Sequence, residues 1–269
     1  MSGRRLPFLL LLAGLLATLA LPAAADFTAS GTFLYEDRPF DLDGFTGEQA
    51  FLPIRRADVE VVDLLTQTVL GSGLTDDSGA FQVDVSLTVP RTIYVRCLTD
   101  TAAHPQLHLR VKNDIQEQSV YAVAGPPVPG HDPWSDLQCG SLTATAGGAG
   151  EAFNIFDAAI KSLDYLFHLS GSYPGPAWNL TLFWRDGAGE ASSWYDDVYR
   201  QVIMADNAGY DDSVILHETG HYVQSAFALC QNPGGAHFIT DMMPFSIEAA
   251  ILYDSLFPMT WRLAALRRK

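Results

Sequence analysis

Val214-Ile215-Leu216-His217-Glu218-Thr219-Gly220-His221-Tyr222-Val223 is the stretch on which the reading of this chain turns. On a helix, two His four residues apart project from one face, one turn apart, near enough to share a cation. Neutral imidazoles suit zinc, and a site with three protein ligands leaves one position open. Glu218 stands beside that pair and is placed to move a proton between water and a leaving amine. An apolar triplet leads into the motif, and neither its flanks nor its inner positions 219 and 220 carry a charge or a Pro. His217 and His221 are therefore expected zinc ligands and Glu218 the expected catalytic base.

Outward from the motif, Asp211-Asp212-Ser213 suits an N-cap and first turn, where acids meet the positive end of the helix dipole. Residues 179–184 read as a strand, and residues 200–205 as an edge-type strand just before the active helix. Phe153, Phe156, Ile160, Leu163, Leu166 and Phe167 recur at helical spacing, which predicts an amphipathic helix over residues 151–169, stopped by Gly171 and Pro174. Downstream of the motif, Glu248 is the only glutamate, in a segment with helical potential after Pro244. It is the expected third ligand, with Asp241 and then His237 as runners-up. Tyr222, His237 and Tyr253 are candidates for an oxyanion partner.

The first half has another rhythm. Phe81, Val83, Val85 and Leu87 alternate with polar residues, as do Ile93, Val95 and Cys97, and Leu107, Leu109 and Val111. A period of two means half-buried strands. Gly71-Ser72-Gly73 and Asp76-Asp77-Ser78-Gly79 supply turns between them. The pattern predicts a β-sandwich over residues 26–123 that folds without zinc. His104 and His108 are four apart but on strand-like sequence, where that spacing is ~13 Å, too far for one metal. The Gly- and Pro-rich segment 124–150 reads as a linker.

Residues 1–25 are expected to be removed. Arg4 and Arg5 precede an apolar run over residues 6–21, and Ala23-Ala24-Ala25 offers small residues for cleavage, the pattern of a secretory signal. The run is short for a membrane span of ~20 residues, and no later segment is apolar enough to span a bilayer. The chain is thus expected to be secreted or periplasmic. Its formal net charge is −15 over 269 residues. That excess of acids disfavours nucleic acid and anionic lipid as partners. Of Cys97, Cys139 and Cys230, the first two are the favoured disulfide in an oxidising compartment.

On the His217-Glu218-Thr219-Gly220-His221 motif the chain resembles the zincin metallopeptidases. Metzincins would need Gly at position 224 and His at 227, where this chain has Gln224 and Phe227, so the resemblance is to gluzincins. These take a third ligand, a Glu, from a following helix. Gly234-Gly235-Ala236-His237 fits the Gly-Gly-x-His element of secreted bacterial gluzincin-like proteins, whereas Phe245-Ser246-Ile247-Glu248-Ala249-Ala250 sets Glu one residue late against their Ser-Glu-Gly pattern. Residues 57–85 resemble the transthyretin-like, carboxypeptidase-regulatory-like domains found beside secreted peptidases. They do so through Ala57-Asp58-Val59-Glu60-Val61-Val62-Asp63, Gly73-Leu74-Thr75-Asp76 and Gly79-Ala80-Phe81. Together these resemblances imply a multi-domain chain: an all-β sandwich, then an α+β zincin-like catalytic domain over residues 151–269 that is either truncated at its end or unusually open. They imply zinc-dependent hydrolysis of a peptide or protein substrate, held as an added strand on the edge of the sheet. The reading from another class is a non-catalytic exported binding protein carrying a degenerate zincin domain.

Overall fold

The alternating stretches become strands because one face of each is buried: in Ala80–Leu87 the side chains of Phe81, Val83, Val85 and Leu87 are buried and those between them exposed. The computed structural model describes residues 25–41, 44–175 and 177–227. The leader, Cys230, His237, Asp241, Glu248 and Tyr253 lie outside the described residues. In chain order the strands are β1 (Ala25–Asp37), β2 (Phe40–Asp41), β3 (Gly44–Phe45), β4 (Ala50–Pro53), β5 (Asp58–Asp63), β6 (Val69–Leu74), β7 (Ala80–Leu87), β8 (Arg91–Leu98), β9 (Leu109–Lys112), β10 (Ala122–Ala124), β11 (Val128–His131) and β12 (Leu137–Ala144). Helix α1 (Gly150–Ser170) follows, then β13 (Leu180–Phe183), β14 (Trp194–Asp196), β15 (Gln201–Ile203) and helix α2 (Asp212–Phe227). Among the described residues the chain is mostly β, with two α-helices.

Three larger sheets form. In the first, β1 runs parallel to β12 on one edge, while β7 and then β4 share the other edge end to end. In the second, β8 pairs with β5 on one edge and with β11 and β10 on the other, and β6 lies outside β5. The third has the order β14-β15-β13-β9, with β9 and β15 parallel to β13 and β14 antiparallel to β15. One apolar core runs through all of it, from Phe27, Phe33 and Val59 through Leu109 and Val111 to Phe153, Leu182, Ile215 and Tyr222. At Gly71 the backbones of β6 and β7 come so close that a Cβ would lie 2.7 Å from the Asp84 carbonyl.

The pairing departs from the sequence reading at three points. The expected linker, residues 124–150, holds β11 and β12, and β12 pairs along the middle of β1. A register shift opposite Gly31 and the left-handed Gly140 (φ 66°) break the alternation that would have marked β12 as a strand. The alternating stretch at 107–111 yields β9, which joins the third sheet, not the first two. It is tied back to the end of β8 by threonine hydroxyls: Thr99 donates to the Val111 carbonyl (2.7 Å), and Thr101 accepts from the Leu109 amide (2.9 Å). The expected Cys97–Cys139 disulfide is absent, and both thiols are free. Cys97 is fully buried in the second sheet, whereas Cys139 lies in the first, against Gly31. No helix among the described residues is long and apolar enough to cross a membrane.

Helix α1 closes where the sequence indicated: Gly171 adopts φ 77° and its amide returns to the Phe167 carbonyl. Its buried face carries one charge, Asp157. The carboxylate accepts from Tyr35 of β1 (2.9 Å) and Arg55 (2.7 Å), and pairs with Lys161 one turn on (2.7 Å). Burial opposes its ionisation, but Lys161 and Arg55 outweigh that and hold Asp157 below the ordinary carboxylate range. Asp157→Ala leaves Arg55 and Lys161 without this counter-ion in the interior, and is expected to cost ~3–5 kcal/mol, read as a fall in the urea midpoint. A fragment of residues 26–123 lacks β12 and separates β9 from β13. It is expected to lose dispersed amide resonances, whereas residues 25–227 keep them.

Candidate metal centre

Helix α2 begins on a cap and a clamp. Asp211 Oδ1 accepts from the amides of Ser213 (3.0 Å) and Val214 (3.2 Å), so the acid read as an N-cap does cap α2. Asn154 of α1, fully buried, donates through Nδ2 to the Gly209 carbonyl and to Asp212 Oδ1, each at 3.0 Å. At Gly209 a Cβ would lie 2.7 Å from the Glu151 Cβ, so only glycine lets the turn before α2 press against α1. Further along, the Tyr222 hydroxyl donates to the Trp178 carbonyl and its ring meets Tyr195 of β14 edge to face, 6.3 Å between centroids.

These contacts fix the rotation of α2 and thereby the motif. The Nε2 atoms of His217 and His221 lie 3.2 Å apart, with ring planes at 85°. One ligand atom from each of His217, Glu218 and His221 lies within 4.8 Å of the other two. His221 and Glu218 are buried and His217 half-buried, so the group opens to solvent on the His217 side. The donor set fits zinc: two nitrogens each ~2.0–2.1 Å from a tetrahedral ion lie about 3.3–3.4 Å apart.

Glu218 has an uncommon setting. Its carboxyl is pushed up to about 8 because burial removes its water, and one hydrogen bond from the Tyr195 amide opposes the rise only in part. Tyr195 was not singled out in the sequence. Its signal was two aromatics, Trp194 and Tyr195, inside a stretch rich in Gly, Ser and acids, too short for a periodicity. The edge strand also differs from expectation: among the described residues β15, within the stretch 200–205, is interior, and β14 forms the edge. The turn after β14 is pinned to both sides. Asp197 accepts from Ser225 of α2 (2.8 Å), and Arg200, at φ 56°, stacks 3.9 Å over Trp178.

The structure thus brings together His217, Glu218 and His221. Tyr222 has no exposed surface and its hydroxyl is engaged, which removes it as an oxyanion partner. Glu248, Asp241, His237 and Tyr253 lie outside the described residues. His104 uses Nδ1 to accept from the amides of Gln106 and Leu107, a turn function consistent with its exclusion as a ligand.

No family model matches the chain, and no curated protein does. Among solved structures, a 9R-lipoxygenase from Cyanothece PCC8801 aligns with 57% of this chain and 26% of its own, at 16% identity and a TM-score of 0.26. The major plantain pollen allergen Pla l 1 aligns with 46% of this chain and 96% of its own, at 12% identity and a TM-score of 0.24. The chain spans about a quarter of the lipoxygenase, and at such scores neither likeness bears on fold or activity.

The raised Glu218 value gives a pH dependence of defined sign. Below the ordinary glutamate value near ~4.3 the carboxyl is neutral in both folded and unfolded chains. Above it the unfolded chain ionises first, so the metal-free fold loses stability as pH rises towards about 8. In chelator, the urea midpoint should fall more steeply between pH 5 and 8 for the parent chain than for Glu218→Gln.

Proposed function

We propose that this chain is an exported zinc-dependent metallopeptidase, with residues 151–269 as its zincin-like catalytic part. The observation that carries the proposal is the imidazole pair of His217 and His221 at 3.2 Å, with the Glu218 carboxyl buried beside it. His217 and His221 would hold zinc, with Glu248 as the third ligand from the following segment. Zinc held there would polarise a peptide carbonyl and make water acidic near neutral pH. A dication next to Glu218 favours its ionised form, reversing the effect of burial and making the carboxylate a competent base. The same carboxyl, once protonated, sits where it can return the proton to the leaving amine.

The edge strand supports a peptide as substrate. The Tyr195 amide of β14 points at Glu218, so the edge of β14 away from β15 runs past the histidine pair. The Tyr195 amide is already given to Glu218, so an extended peptide laid along that edge would pair with the outward Tyr195 carbonyl and lie with its backbone across the site.

Metal analysis of the purified exported chain should give about one zinc per molecule, lost in His217→Ala and in His221→Ala. Glu218→Gln should keep the zinc and lose peptide hydrolysis, because the amide preserves shape without basicity. Parent chain that stays metal-free after exposure to zinc, or a Glu218→Gln enzyme as fast as the parent, would sink the proposal. Glu248→Ala should weaken zinc binding at least about tenfold, and Asp241→Ala should change it little. The reverse pattern would assign the third position to the aspartate.

A further inference from the structure

The face of the third sheet turned away from the helices carries a groove that the proposed chemistry does not use. Alternation sends Leu109, Val111, Leu180, Leu182 and Val202 into the core, so Lys112 of β9, Thr181 and Phe183 of β13 and Gln201 of β15 lie on the other face. There they line an open groove of about 450 Å³, with Tyr199 and Arg200 of the β14–β15 turn along its side. Among the described residues no Asp or Glu lines it. Its charge sets it apart in a chain of 31 acids against 16 Lys and Arg. Arg4, Arg5 and the four cations of residues 262–269 lie outside the described residues, which leaves ten of the 16. Eight of these are paired with a carboxylate, and the two that are not, Lys112 and Arg200, both line this groove.

Both cations are held in place. Arg200 takes a left-handed backbone (φ 56°), which a residue other than glycine adopts only at a cost. Its guanidinium lies 3.9 Å over the Trp178 ring, and Nη1 donates to the Ala177 carbonyl (3.2 Å). Lys112 Nζ donates to Gln118 Oε1 (3.1 Å). The Lys112 ammonium is held below the ordinary lysine value, first by burial and then by Arg110, and an arriving carboxylate would offset both. Asp196, on the same face opposite Gln201, is engaged in the turn, where its Oδ1 accepts from the amides of Val198 (2.9 Å) and Tyr199 (3.0 Å). The two charges are thus presented on ordered side chains, and little order has to be gained on binding.

We propose that the groove takes an acidic segment of a peptide, one carboxylate at Arg200 and a second at Lys112. Charge complementarity names the anion, and the spacing of the two cations names the peptide. Lys112 stands opposite Phe183, whereas Arg200 precedes Gln201, which stands opposite Thr181. Two strand spacings across and about three residues along put their Cα atoms roughly 14 Å apart. Arg200 is held back on Trp178, which lies before β13 on the side away from Phe183, so one small anion would not bridge the pair. Two acids four residues apart in an extended segment, at ~13 Å, match it. Position makes that segment part of the substrate. Val198 and Tyr199, 82% and 74% exposed, carry the chain from the end of the β14 edge to the side of the groove. A peptide laid along β14 past Glu218 reaches the groove over this turn. The assignment to a substrate rests on the peptidase reading, and the affinity of the groove for acidic peptides does not.

The test is fluorescence anisotropy of a labelled alanine-based peptide with two Glu four residues apart, against its Gln counterpart, on the Glu218→Gln chain so that cleavage does not intervene. The Glu peptide should bind about tenfold tighter, and the difference should shrink as salt is added. Lys112→Gln and Arg200→Gln should each remove about three- to fivefold of that preference, the scale of one exposed ion pair, and the double variant should abolish it. Arg96→Gln removes the same charge from a cation paired with Glu60 in the second sheet, and should leave the preference unchanged. Thermal midpoints equal to the parent's would show that the variants fold, and if Arg200→Gln unsettles its turn, Lys112→Gln carries the test alone. Equal binding of the two peptides overturns the proposal, as does a preference that survives in Lys112→Gln. Displacement of the Glu peptide by inorganic phosphate, where chloride of equal ionic strength fails, would make this a small-anion site and overturn the peptide assignment. Hydrolysis of the Gln peptide by the parent chain reads the metal site separately. Hydrolysis without a Glu preference defeats only this inference, whereas a Glu preference in binding without hydrolysis of either peptide defeats the peptidase reading and leaves the acidic-peptide groove standing.

Discussion

The rest of the structure hangs on a buried carboxylate. Asp157 has almost no access to water, and removing a lone carboxylate from water costs several kcal/mol even after relaxation. It is tolerable only because Arg55, from the segment before β5, and Lys161, from its own helix, stand within 2.6 and 2.7 Å, and Tyr35 of β1 donates the remaining hydrogen bond. Two further acids complete the balance. Asp212, fully buried at the start of α2, acts on Lys161, and Asp164 pairs with Arg55 and Arg56. These three anions thus meet three cations, and the exposed Asp77 pairs with Arg56 besides. Burial works against the charged form of each cation, and the partners outweigh it. Such a cluster contributes little net stability compared with a well-packed apolar one, but it tolerates only one arrangement of its members. Its members come from the first sheet, the β4–β5 connection, α1 and α2, so it sets the orientation of the helices against the sandwich.

That orientation reaches the histidine pair through Asn154 and Asp212. Asp212 is the first residue of α2 and His217 lies little more than one turn on, so fixing Asp212 against α1 fixes the azimuth of the histidine pair. The far end of the same helix is fixed by Tyr222 on Trp178 and by Ser225 on Asp197. A pair of imidazole nitrogens at 3.2 Å is costly to hold if it relies on two free side chains. It is far less so on a helix clamped at both ends, where the i, i+4 spacing already does most of the work.

The motif was legible because its chemistry and its periodicity coincide in ten residues, and His217, Glu218 and His221 converge as the spacing required. The N-cap at Asp211, the end of α1 at Gly171 and the strands β7 and β8 were legible for similar local reasons. What could not be read was long-range. Nothing near Leu109 says that β9 will leave its sequence neighbours for β13, because parallel pairing is decided by crossover geometry, not by alternation. β12 was hidden by a bulge and by glycines that mimic a flexible linker, although Gly31 is there because the Gly140 carbonyl lies where a Cβ would be, and Gly140 for its left-handed φ. The edge was assigned to 200–205 because apolar residues suggested a strand, and the edge among the described residues, β14, is three residues long. Cys97 and Cys139 looked pairable in number and compartment, while the fold set them in different sheets.

Burial sets the electrostatics of Glu218, and the short edge strand tempers it. A carboxyl closed off from water on a helix would ordinarily be neutral and useless as a base at neutral pH. Here the Tyr195 amide keeps one hydrogen bond on it, and the two imidazoles beside it define where a cation would sit. A dication held by the two imidazoles would favour the charged form of Glu218, because it would supply the stabilisation that water has been denied. A structural glutamate on an otherwise apolar helix would gain nothing from such a position, since every conformation that exposed it would be lower in energy. The fold keeps Glu218 inside because β14 and α2 are packed together through Tyr195 and Tyr222, so the cost of its desolvation falls on the scaffold.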